Sequence, residues 1–154
     1  MADKSKPIVV GADHLGLPLK DALKAYLIEK GYQVVDVGVN TDEPVFYPNI
    51  AVALSERIAK GEFDRGVLVC GTGIGMAITA NKVPGVRAAV IHDSYSAERA
   101  QGSNDAQVAC FGSLVIGVST ARKNLDIWLD TEFGGGGSQP KVDLIKALDE
   151  KKSK

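Results

Sequence analysis

The chain has 154 residues, enough for one sizeable core, and its balance of 45% apolar to 24% charged residues excludes a disordered or fibrous protein. A formal net charge of -1 excludes the strongly basic surface that grips nucleic acid, yet leaves room for a local anion pocket. No apolar run approaches the ~20 residues that cross a bilayer, and the opening MADKSKPIVV lacks the apolar core of a secretory leader, so a cytoplasmic protein without membrane or nucleic-acid partners is expected.

Residues 8–10 form a short apolar run that ends in GADHLG, residues 11–16. Pro18 suits a first helical turn, and Leu19, Leu23, Tyr26 and Leu27 recur at helical spacing until Gly31. Residues 33–37 read as a second strand. Pro48 opens a second helix whose apolar face is Ile50, Ala53, Leu54 and Ile58, closed near Gly61. Residues 66–70, 86–91 and 107–111 read as three further strands, and residues 95–101, 120–128 and 142–151 as helices. GGGGS at 134–138 reads as a flexible connection. The lysine-rich end reads as solvated.

The strands are short, valine-rich and continuous rather than alternating, the pattern of strands buried on both faces of a parallel sheet. Their alternation with helices predicts a three-layer, doubly wound, Rossmann-like α/β domain of about five parallel strands with helices on both faces. It spans residues 1–154, with 142–154 a C-terminal helix and tail. Ligands of such sheets bind outside the carboxyl ends of the strands. Asp13-His14, the segment after Cys70, and His92-Asp93 all fall there.

The stretch VLVCGTGIGMAITANK, residues 67–82, carries the most chemistry. Gly71, Gly73 and Gly75 lead from a strand into a helix, where backbone N–H groups favour negative charge. No Gly-Lys-Ser/Thr follows, so it is no Walker loop, and its third glycine is misplaced for a dinucleotide fingerprint. A tight turn is the plainer reading. Thiols at helix N-termini ionise more readily than free cysteine. A thiolate at Cys70 beside amide donors suits proton abstraction from carbon α to a carbonyl, because the new charge lands on an oxygen that the donors face. The plainer reading is a buried cysteine ending a strand. Cys110, in VACFG, reads as a small core residue. Two cysteines and two histidines so widely spaced predict neither a disulfide framework nor a metal site.

GADHLG, Tyr47-Pro48, CGTGIG followed by ANK, GVRAAV and SNDAQV, in this order, resemble the ribose-5-phosphate isomerase B and galactose-6-phosphate isomerase family over residues 8–145. The resemblance implies a cofactor-free and metal-free aldose–ketose isomerase that works through a cis-enediol. It also implies a homodimer or a dimer of dimers with sites at the subunit interface, and a sugar or sugar phosphate as ligand. It makes Cys70 the base, Thr72 its neighbour, Asp13 a further catalytic group, and Gly71, Gly73 and Gly75 the anion-hole loop. His14, Tyr47, Asn104 and Lys141 become substrate-binding residues. A capping role for Asn104 and a packing role for Tyr47 are the plainer readings.

The departures bear on substrate. Where many members carry a ring-opening histidine, this chain has Ser103, and Leu114 and Gly137 stand where many carry phosphate-binding arginines. Lys141 keeps a charge without arginine's fork. Each charge-assisted bond lost is worth about 1.5–3 kcal/mol. Arg87, Arg99 and His14 are the remaining candidate cations, and Asp13, His92 and Ser103 the remaining candidates for ring opening. Ribose 5-phosphate is the first expectation. A tetrose 4-phosphate, which closes no furanose ring, or an unphosphorylated aldose are the alternatives. A non-catalytic sugar-phosphate-binding module is the alternative of another class.

Overall fold

A computed structural model of the chain describes residues 1–152. Its elements run β1 (Ile8–Ala12), α1 (Leu17–Glu29), β2 (Val34–Asp36), α2 (Tyr47–Ala59), β3 (Gly66–Cys70), α3 (Ile74–Ala80), β4 (Ala88–Val90), α4 (Ser94–Gly102), β5 (Val108–Gly112), α5 (Val118–Asp130) and α6 (Gln139–Lys152). The five strands form one all-parallel sheet in the order β2-β1-β3-β5-β4. Every residue of β1, β3 and β5 is buried, which is why these strands read as unbroken apolar runs.

Successive strand residues point to opposite faces, so Val10 joins Leu23, Leu125 and Trp128 on the side of α1, α4 and α5, while Val9 joins Leu54, Leu68 and Met76 on the side of α2 and α3. The three-layer Rossmann-like arrangement is thus present. Helix starts follow local chemistry. Prolines sit in the first turns of α1 and α2, and the Asp93 carboxylate caps α4 by accepting from Ser96 N–H at 2.7 Å.

Several element ends shift by one or two residues from the sequence reading, and three departures are larger or carry a visible contact. β4 covers only Ala88–Val90, and the Asn81 side chain bonds both the N–H and the C=O of Ala88, closing this sheet edge. GGGGS is not a free connection: Gly134 N–H donates to Gly102 O at 3.1 Å, and a 3-10 turn occupies Gly136–Ser138. α6 consequently starts at Gln139, three residues before the expected 142. Of the expected tail, residues 153–154 lie outside the described residues. α6 buries Val142 but leaves Leu144 and Leu148 exposed.

Candidate active site

β1 lies beside β3, and the chain leaves them for opposite halves of the sheet, which opens a crevice between the loops that follow them. The first loop is pressed onto β3. Asp13 N–H donates to Val69 O at 3.2 Å, and a Cβ on Gly16 would meet that oxygen at 2.3 Å. The buried Asp13 carboxylate accepts from Gly16 N–H at 2.8 Å and faces the crevice.

Cys70 ends β3, and the next residues turn sharply. Gly73 adopts φ 76°, which favours glycine, and its N–H donates to Cys70 Sγ at 3.1 Å. Thr72 Oγ1 accepts from Ile74 N–H at 3.3 Å. The turn lies flat on the end of β5: a Cβ on Gly112 would come within 2.6 Å of the Thr72 main chain. The segment after β5 is stapled to it, since Ser113 N–H donates to Cys70 O at 2.9 Å, Leu114 N–H to Gly71 O at 3.0 Å, and Ser113 Oγ–H to Leu15 O at 2.7 Å.

Together these loops enclose a cavity of about 440 Å³. Asp13, Tyr47, Cys70, Gly71, Thr72 and Gly75 line it, and Leu15, Ile74, Ile78 and Leu114 form an apolar rim. Sequence reasoning missed Leu15, Ile74 and Ile78. The signal available was Ile74 and Ile78 four apart on a helix whose buried face is Met76, Ala77 and Ala80.

Other expected site residues lie elsewhere. His14 is half-buried, and its Nδ1 accepts from Val45 N–H at 3.3 Å, beside the helix that carries Tyr47. Ser103 ends α4 and its Oγ accepts from Arg99 Nη1 at 3.3 Å. Asn104 is exposed and lines a second cavity of about 350 Å³ with Asn81, Arg87 and Ile145. Lys141 stands exposed on α6. The Gly73 amide is turned to the Cys70 sulfur, not into the cavity.

The candidate cations and the second histidine are already engaged. Arg87 donates to Asn104 O, Asp105 O and the Asp105 carboxylate, and Arg99 to Glu98 and Ser103. His92 Nε2 accepts from Gly112 N–H at 2.8 Å. Burial lowers the His92 pKa from its ordinary value, against a smaller opposing pull from the Asp93 carboxylate. Burial pushes the Cys110 thiol up, far from reactivity near neutral pH. Among the described residues no cluster of three or more His, Cys, Asp or Glu could hold a metal ion, and no helix is long and apolar enough to cross a membrane.

The Ribose/Galactose Isomerase family model matches residues 8–145. The chain is 53% identical to the ribose-5-P isomerase B of Listeria innocua, covering 94% of this chain and 97% of the relative. It is 50% identical to the D-erythrulose-4-phosphate isomerase of Pectobacterium atrosepticum, covering 90% and 91%. Among solved structures, the ribose-5-phosphate isomerase B of Clostridium thermocellum superposes with a TM-score of 0.92 at 41% identity, covering 94% of this chain and 98% of the other.

Proposed function

The chain belongs to the ribose/galactose isomerase family of aldose–ketose sugar-phosphate isomerases, and on that premise we propose that Cys70 is the base that moves a proton between C1 and C2 of a short sugar phosphate. The observation that carries this reading is the meeting of Cys70, Asp13 and Thr72 in one cavity at the switch point of the sheet.

The thiolate takes the proton from C2 of the aldose. The C–H electrons form the C1–C2 double bond, and the carbonyl pair moves onto O1, giving a cis-enediolate. The same sulfur returns its proton to C1. The hydroxyl proton leaves O2, which becomes the ketone, and O1 is protonated. The buried Asp13 carboxylate is suited to carry the proton between the two oxygens. Thr72, Gly71 and Gly75 line the cavity beside Cys70, where the enediolate charge develops. The Gly73 N–H supplies a donor to the sulfur itself. No step needs a metal or an organic cofactor.

Two substrates remain, each with its own support. A tetrose 4-phosphate fits the site better. Ser103 replaces the ring-opening histidine of the family pattern, and the Nε2 of His92, a candidate ring opener, already accepts a backbone hydrogen bond. A tetrose 4-phosphate needs no ring opener. Ribose 5-phosphate is supported by the relatives of that name at 53% and 40% identity. The apolar rim with Leu114 would favour an unphosphorylated sugar only if phosphate proved dispensable.

The site is completed by a second copy. Ser103, Asn104 and Lys141 lie away from the Cys70 cavity within one chain, while Leu114 and Leu144 are 75% and 71% exposed. A homodimer that sets the α4–β5 and α6 surfaces of one copy over the Cys70 cavity of the other would bring both sets together and cover these leucines. Initial rates with erythrulose 4-phosphate, ribose 5-phosphate and free ribose test the substrate. Turnover of ribose 5-phosphate far above the tetrose phosphate would reverse that preference. Turnover of free ribose at the same rate would remove the phosphate.

A further inference from the structure

The half-buried imidazole of His92 takes no part in the proton transfer at Cys70, yet it grips the end of the strand on which the glycine turn rests. We propose that His92 is a positioning residue: its unprotonated Nε2 replaces a missing strand partner of Gly112 and thereby fixes the turn that carries Cys70 and Thr72.

The pairing of β4 with β5 explains the arrangement. The register runs Ala88 to Val108, Ala89 to Ala109 and Val90 to Cys110, and Ile91 N–H still donates to Cys110 O. Beyond that point β4 has ended, and the next inward-facing amide of β5 on that side, Gly112 N–H, has no main-chain acceptor. His92 Nε2 accepts it at 2.8 Å. An amide N–H only donates, so Nε2 carries no proton and the imidazole is the neutral Nδ1–H tautomer.

Gly112 is the contact point beneath the active-site turn. Its Cα faces the Thr72 main chain so closely that a Cβ would overlap it, and the next residue's N–H holds the Cys70 carbonyl. A shift of Gly112 is therefore passed to Thr72 and Cys70 by direct contact. The groups around His92 do not favour its protonation. Asp93, at the start of α4, is the charged neighbour that acts on it, and burial outweighs that carboxylate. From α5, Asn124 presents an amide already engaged with Ile91 O and Ser94 Oγ. From β5, the Gly112 N–H donates to the ring nitrogen. Protonating His92 would set N–H against N–H and release the end of β5.

The test compares His92→Ala, which removes the acceptor, with His92→Gln, whose Oε1 reaches the Nε2 position and does not titrate. The kinetic arm rests on the isomerase reading; a second arm, alkylation of Cys70 by iodoacetamide read by mass spectrometry, does not. In His92→Ala, kcat is expected to fall about ten- to hundredfold, as for a misplaced catalytic group, with KM nearly unchanged and faster Cys70 alkylation. His92→Gln is expected to restore both, equally for erythrulose 4-phosphate and ribose 5-phosphate, and to lose the part of the acid limb that lies below pH ~6.5 in the wild type. The proposal is overturned if His92→Ala keeps the wild-type kcat and alkylation rate. It is overturned also if His92→Gln loses ribose 5-phosphate turnover while keeping the tetrose phosphate, since that outcome assigns ring opening to His92. Should the wild type turn over neither sugar, the isomerase reading fails and the alkylation rates alone decide the positioning role.

Discussion

Tyr47 lies directly over Gly75: a Cβ at position 75 would sit 2.4 Å from the tyrosine Cζ and 2.7 Å from its hydroxyl oxygen. The first residue of α2 is thus seated on the first turn of α3, and the ring closes one side of the Cys70 cavity. Glycine is needed at this position for space, not for its backbone freedom. Because the tyrosine is partly exposed, Gly75→Ala should push the ring aside instead of unfolding the chain. The expected result is a folded protein whose kcat/KM falls about tenfold or more through a displaced wall of the site. Kinetics alongside a thermal melt check it, and an unchanged kcat/KM would separate Tyr47 from substrate.

Asp13 allows its two roles to be separated. Its carboxylate holds Gly16 N–H and faces the cavity. Asp13→Asn keeps an acceptor for that amide but cannot carry a proton. A fall in kcat of about 10²- to 10⁴-fold, with a melting temperature close to wild type, is expected. A large loss of stability with activity intact would assign Asp13 to the fold alone.

Lys20 and Asp36 form a buried ion pair that also ties down the segment after β2 through Val39 O. Lys20 is fully buried, bonds both Asp36 oxygens at 3.1 and 2.9 Å, and also donates to Val39 O. Burial alone would raise the Asp36 pKa; hydrogen bonds from Lys20, Lys24 and Gly38 N–H outweigh it and hold it below the ordinary value. The folded state therefore binds the proton more weakly than the unfolded one. The stabilisation is complete above the unfolded carboxylate pKa of about 3.9 and is lost as pH falls through the lower folded value. Asp36→Asn removes the nearer carboxylate of Lys20, leaving Asp21 at 3.5 Å, and should cost about 3–5 kcal/mol. Urea titrations at neutral pH and below pH ~4 check both statements: the gap between wild type and variant should narrow in acid.

The split of the expected site between two surfaces gives a test of the dimer. Cys70→Ser and Asn104→Ala should each be poorly active alone. If the copies complete each other's sites, a mixed dimer carries one site with both residues intact, and mixing followed by subunit exchange should restore activity to about a quarter of wild type, since half the dimers are mixed and each has one intact site. No recovery, with subunit exchange demonstrated, would place each site within one chain.

Much of this fold was readable from local pattern. The β3 run GVLVC keeps its expected bounds because every residue is apolar or glycine and the turn begins at once. Edges were harder to read. β4 ends early, and a side chain twenty residues from Gly112 supplies the acceptor that the strand no longer offers; GGGGS is ordered by Gly102, which lies more than thirty residues away. The loop residues after β1 and β3 meet because of strand order. A sequence states that order only through a fold rule. The histidine at position 92 illustrates the limit: its place at a strand end suggested chemistry, and only the tertiary register reveals that its Nε2 already has a backbone donor.

Transfer of the proton by the Cys70 sulfur is the step on which the proposed function depends. Erythrulose 4-phosphate and ribose 5-phosphate incubated with the protein in deuterated water, followed by NMR at C1 and C2, test it most directly, with Cys70→Ser alongside. Carbon-bound deuterium and product are expected from the wild type, with a loss of both by about 10³-fold or more in Cys70→Ser. That variant keeps the fold, because serine is only slightly smaller and the site is at the end of a strand. Isomerisation by Cys70→Ser at the wild-type rate would contradict the role of the sulfur.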